Sequence, residues 1–179
     1  MTLQPIARNL EELCDAFMYK LATDARTSSI TWILGEIGMG YPNQTPFGYL
    51  GVVTSQILWQ TAAGRGTGEL AAGLDDWLIP YRIILCHQPH QYIQPIAATP
   101  SVGNAFVGNA PYLEQPGYRD WINYSAAIEG CLRADITLSG FAATTQIMEA
   151  TPILQEVEGT LYHAVRIVVN VQQRRVRGA

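Results

Sequence analysis

Hydrophobic residues recur every three or four positions near the start of the chain: Ile6, Leu10, Leu13, Cys14, Phe17, Met18 and Leu21. That spacing lays one apolar stripe along an α-helix. Pro5 suits its first turn, and Glu11, Glu12 and Asp15 fall on or near the polar side, so a helix is predicted over roughly 3–24. Three strand-like segments follow. Ile30–Gly35 is short and β-rich and runs into a Gly/Pro stretch through Gly40, Pro42 and Pro46. Tyr49–Gln60 reads as one longer strand, with Val53, Ile57 and Trp59 on one side and Val52 and Leu58 on the other. The four glycines of the segment Ala62–Gly73 break the pattern and read as a flexible hairpin connection. Trp77–His87 is apolar on both faces, the mark of a central, covered strand, and Pro80 lies near its start, where a missing N–H is tolerable.

Periodicity disappears over 88–116, which holds Pro89, Pro95, Pro100, Pro111 and Pro116, five of the ten prolines. A stretch this long without elements of its own inside a compact domain points to function or disorder. Proline removes part of the ordering entropy in advance, so the segment suits an extended arm laid on a neighbouring subunit. A second helix is predicted from about Tyr118 to Arg133, with Trp121, Tyr124, Ser125, Ile128, Cys131 and Leu132 as its buried stripe and Leu138-Ser139-Gly140 as its exit turn. Thr144–Met148 and Pro152–Val157 read as two short strands. Tyr162–Val176 closes the chain with Val165, Ile167, Val169 and Val171 alternating with Arg166, Asn170 and Gln172, the clearest period of two. Helices and strands are segregated along the chain. The expected fold class is α+β: a mainly antiparallel sheet flanked by two helices, in a single domain over 1–179 with a long Pro-rich arm at 88–116.

Composition narrows the function. A chain of 179 residues fits one domain and needs no metal or disulfide staple. Charged residues are 15%, low for a soluble domain, and ten arginines stand against one lysine, Lys20. Interfaces accept arginine and exclude lysine, so the balance predicts a surface covered by other subunits. Net charge −4 opposes nucleic-acid binding as the main task. No apolar run reaches the length of a membrane span, and the acidic start does not resemble a signal peptide. Cys14, Cys86 and Cys131, odd in number and far apart, read as buried thiols in a reducing cytoplasm.

Candidate chemistry is thin. Cys86, His87 and His90 lie within five residues, with His163 as a distant fourth ligand, yet the spacing matches no zinc motif and neighbours on a strand point to opposite faces. The run Gly64-Arg65-Gly66-Thr67-Gly68 lacks the ending of a phosphate-binding loop and reads as a hairpin tip. Asp75-Asp76 reads as a turn before the strand. No nucleophile motif is present. The expectation is a protein without catalytic residues, cofactor or metal.

Four local stretches carry a family likeness. They are the N-terminal amphipathic helix, the strand entry Pro46-Phe47-Gly48-Tyr49, the helix end from Leu132-Arg133-Ala134 through Asp135-Ile136-Thr137 to Leu138-Ser139-Gly140, and the final strand from Tyr162-His163-Ala164-Val165 to Val169. With the order of elements, they resemble the tail terminator (tail completion) proteins of tailed bacteriophages over nearly the whole chain apart from the arm. The stretches are packing signatures and none is catalytic. The resemblance implies a virion structural protein: a ring of six copies that caps the head-proximal end of the tail tube and joins it to the neck. Its partners would be the tail tube protein, neck and head–tail connector proteins, and sheath protein if the tail contracts. It would act in the virion after assembly in the host cytoplasm.

The arm is longer than the family pattern, so the candidate partner contacts come from the residues alone. They are Tyr92, Ile93, Ile96, Phe106, Val107 and Tyr112, apolar side chains poorly placed in water, and the terminal basic cluster Arg174, Arg175 and Arg177. Two other readings stay open: a different neck component, such as a connector, or a small cytoplasmic ligand-binding or enzyme domain using the Gly-rich loop with His87 and His90. Deleting the middle of the arm should leave the thermal melt of the isolated subunit nearly unchanged while weakening its assembly; native mass spectrometry alongside calorimetry checks both halves.

Overall fold

The structure, a computed structural model, describes residues 10–37, 44–53, 56, 58–61, 74–90, 96–97, 113–114 and 117–176. Helix α1 spans Leu10–Thr23 and buries Leu13, Cys14, Phe17 and Leu21, the predicted stripe; Ile6 and the start of the predicted helix lie outside the described residues. Strands β1 (Thr31–Leu34), β2 (Phe47–Val52), β3 (Leu58–Thr61) and β4 (Leu74–Pro89) follow. The arm region contributes β5 (Ile96–Ala97) and β6 (Leu113–Glu114), then come helix α2 (Tyr118–Ala134) and the long strands β7 (Thr144–Val157) and β8 (Thr160–Val176). The main sheet has the order β1-β2-β4-β8-β7, with β3 also paired to β4. Every pairing is antiparallel except β1 with β2. The fold is α+β, as the segregated order of elements predicts.

Strand β4 organises the sheet. Along one edge it pairs first with β3 (Thr61↔Asp75 to Leu58↔Leu78) and then with β2 (Val52↔Tyr81 to Phe47↔Cys86). The single strand expected over Tyr49–Gln60 is therefore two, and the cause lies opposite. The Val53 N–H donates to the Pro80 carbonyl at 2.9 Å, so Pro80 turns its backbone toward this edge. A strand residue aims its N–H and C=O the same way, so the donor that proline lacks is missing just where the ladder breaks. Pro80 lies in the middle of β4 rather than near its start, tolerated because the gap between β2 and β3 falls beside it. Asp75 and Asp76, expected in a turn, are strand residues in register with Arg175 and Arg174.

Both faces of β4 contribute to a core. Ile79, Tyr81, Ile83 and Leu85 join Val165, Ile167, Val169 and Val171 of β8 beneath the two helices. Phe17 of α1 meets the Tyr81 ring edge-on at 5.1 Å, and the Tyr81 hydroxyl lies 3.4 Å from Cys14 Sγ. Each fully buried Leu, Ile or Phe here contributes about 1.5–3 kcal/mol. On the opposite face Phe47, Tyr49, Ile84, Cys86, Tyr162 and Ala164 form a second cluster, in which the Phe47 and Tyr162 rings meet edge-on at 5.3 Å. The three cysteines are free, buried thiols, and burial pushes Cys86 up to about 12.

Two expected short strands are one. β7 runs unbroken through Pro152, and a bulge between Ile147 and Glu149 absorbs the extra residue, Met148. An edge strand tolerates both devices because its outer side pairs with nothing in the sheet. The arm, expected to lack elements, has a short ribbon at its root: Ile96 pairs with Glu114 and Ala97 with Leu113.

A close approach tests the β1–β2 packing. A Cβ on Gly48 would stand 2.5 Å from the Trp32 ring, and Trp32 is pinned by its Nε1–H donating to the Thr27 carbonyl at 3.2 Å. Gly48→Ala should destabilise the fold by about 2 kcal/mol through overpacking, read as a lower urea midpoint with an unchanged slope.

Candidate functional site

The predicted contact residues are not brought into one described surface. Tyr92, Ile93, Phe106, Val107, Tyr112 and Arg177 lie outside the described residues. Ile96 stands in the arm-root ribbon opposite Glu114, and Arg174 and Arg175 end β8 in register with Asp76 and Asp75.

What the fold does assemble is the chain's three histidines. β4 pairs Cys86 with Ala164 and Gln88 with His163, which leaves His87 as the extra residue of a bulge. Bulges re-aim side chains. Here the neighbours separate: Cys86 enters the second cluster on one face, while His87 lies beside Tyr124 of α2 with ring centroids 5.6 Å apart. On its other side His87 stacks on His163 at 6.4 Å. The strand ends one residue before His90, whose N–H donates to the Leu161 carbonyl at 2.6 Å. That anchor sets His90 Nδ1 3.0 Å from His163 Nε2, so one of the two nitrogens carries a proton that both share.

Helix α2 closes the site from above. Its N-cap, Gly117, has φ +77° and makes no side-chain cap. A Cβ there would stand 3.2 Å from Gln88 Oε1 and 3.4 Å from both His163 Cγ and His87 Cε1, so glycine suits the backbone angle and any side chain would have to displace these neighbours slightly. Beneath this turn lies a cavity of about 190 Å³ bounded by His87, His163, Trp121, Tyr118 and the Pro152–Leu154 segment of β7. His87 is 7% exposed. Both of its ring nitrogens, and Trp121 Nε1 in the same cavity wall, are buried without a hydrogen-bond partner among the described residues.

Burial lowers the titration of His87 and His163. Burial pulls His87 below the ordinary histidine range, with the Asp120 carboxylate opposing and His163 adding to the shift. His163 is lowered by burial and then by His90. Among the described residues no group of three or more histidine, cysteine or acidic side chains has metal-binding geometry.

Sequence reasoning singled out His87 and His90 but treated His163 as remote. The signal that all three meet lies in the β4–β8 register and its bulge, and a period-two pattern does not specify pairing across 73 residues. The outer rim is apolar: Tyr118 of α2 and Leu154 of β7 are each about half exposed.

No protein-family model matches the chain, and no curated protein is significantly similar to it.

The cluster makes stability depend on pH with a definite sign. His87 and His163 titrate lower in the folded state than the roughly 6.5 of an unfolded histidine. The unfolded chain therefore binds protons first as pH falls. Their contribution is complete above about pH 6.5 and is lost progressively below it, at up to about 1.4 kcal/mol per pH unit for each proton taken up. Asp135, held low against its burial by hydrogen bonds from Thr137 and Ser139, acts only in the more acid carboxylate range. Urea unfolding between pH 8 and 5 should show the decline, and His87→Phe should flatten it.

Proposed function

We propose that this chain is a virion structural protein, a tail terminator that forms a ring of six copies on the head-proximal end of a phage tail tube and links it to the neck. The observation that carries the reading is the asymmetry of the sheet margins. One margin is β1, four residues long and parallel to its neighbour. The other is the fourteen-residue β7, with half-exposed Met148 and Leu154, the latter beside Tyr118 of α2. A closed ring needs two unlike, complementary surfaces on each subunit, because its contacts are head-to-tail.

Several features support a binding role over a catalytic one. Burial raises all three thiols, which makes them poor nucleophiles at neutral pH. No helix among the described residues is long and apolar enough to cross a membrane. The element order of helix, strands, arm, helix and closing hairpin is the order on which the likeness to tail terminators rests.

A terminator acts by affinity alone. Each added ring of a tail tube re-exposes the surface that received it, so growth stops when a subunit matches the tube end on one face and differs on the other. Six weak contacts act together through multivalency. Loss of the protein should leave heads and tube protein intact but unjoined, with tubes of irregular or excessive length in electron micrographs of a null-mutant lysate. Tubes of normal length that fail to attach would assign it instead to the neck connector. Infectious particles of normal shape would exclude a structural role.

A further inference from the structure

We propose that the cavity beneath the N-terminus of α2 binds a small carboxylate with a short, branched apolar body. The inference stands apart from the ring reading and rests on what surrounds the empty space. About 190 Å³ is several times the ~30 Å³ share of one water, so the cavity has room for a small organic group.

Its polar groups are mostly donors. Trp121 Nε1–H can only donate, and it is buried without a partner. His87 carries at least one N–H in any tautomer. Its Cε1 edge, between the two unpartnered nitrogens, faces Gly117. The first N–H groups of α2 have no acceptor within the helix, and its N-cap, Gly117, has no side chain to supply one. The unpartnered Trp121 and His87 donors beside a helix N-terminus suit an anion and exclude a cation. The remaining wall, Pro152 to Leu154 with the flanking rings, is apolar and suits an aliphatic body over a bare phosphate.

Buried polar groups without partners normally mark a missing water, ion or ligand, since each costs about 1–3 kcal/mol. A bound carboxylate supplies the acceptor that Trp121 and His87 lack. It also favours the imidazolium form of His87. The groups facing that ring are Asp120 and Tyr124 from α2 and His163 from β8, with His90 behind it. Asp120 opposes the anion but also favours protonated His87. Binding is therefore coupled to proton uptake and strengthens as pH falls from 8 to 6.

The test uses the full chain with isobutyrate, and isobutyramide as its neutral isostere, followed by NMR shift titration and calorimetry. The expected result is at least tenfold preference for isobutyrate and tighter binding at pH 6 than at pH 8. Trp121→Phe should weaken binding at least tenfold, and His87→Phe should abolish its pH dependence. Each variant removes an orphaned group while keeping an aromatic ring, so melting temperatures should hold or rise, which separates lost binding from lost folding. Equal binding of the two probes, or none at concentrations on the order of 10 mM, overturns the proposal; so does isobutyrate binding that neither variant changes. Native mass spectrometry with and without isobutyrate identifies the source. Dissociated assemblies mean that a neighbouring chain presents the carboxylate, and unchanged assemblies mean a free small molecule; either supports the site.

Discussion

The whole architecture depends on one strand that serves two cores and two ladders at once. β4 is paired along both edges, and between Ile79 and Cys86 it sends side chains into the core on each face. That stretch meets both demands with one omission, the N–H of Pro80. Because an unpaired buried carbonyl or amide is costly, the neighbouring chain adapts to the omission: β2 ends, the Val53 N–H takes the Pro80 carbonyl, and β3 begins beyond it. A single residue type on one strand thus divides the adjacent one.

The second irregularity of β4, the bulge around His87, has the opposite consequence. Without it, residues beyond Cys86 would continue the regular pairing with β8. With it, Gln88 pairs with His163 and His87 is left over, between the ring of Tyr124 and that of His163. Gly117 then seats α2 directly on the result. The polar atoms gathered there contribute nothing to the core by staying unpaired, and volume-matched apolar residues would serve stability better. Stability therefore does not account for this arrangement, in contrast to the Tyr81–Cys14 contact, where two buried polar groups satisfy each other.

The readable and unreadable parts of the sequence divide along physical lines. The α1 stripe, the buried end of α2 at Ile128, Cys131 and Leu132, the alternation of β8 and the two-sided β4 were legible because local periodicity encodes which face is covered. Breaks and joins were not. Tyr49–Gln60 carries no sign of a break, because the break is caused by Pro80 on another strand. Pro152 looks like a terminator, yet β7 passes through it because edge position relaxes the demand for a donor. The site was less legible than the fold. His87 and His163 meet through a register shift, and register is a property of two strands that neither displays alone.

The β7 margin bears on how such a domain can associate without aggregating. A fourteen-residue edge with exposed Met148 and Leu154 invites strand addition from any extended chain. Two features of the same strand resist it. Pro152 has no N–H to give, and the Met148 bulge bends the strand and disrupts its regular hydrogen-bonding rhythm. Backbone pairing along the full edge is therefore blocked, while the side chains of the margin, with Tyr118 of α2, remain exposed. Contacts made by side-chain packing are specific in shape and orientation, whereas backbone ladders accept almost any strand. An edge built this way favours a partner of defined geometry over indiscriminate strand addition.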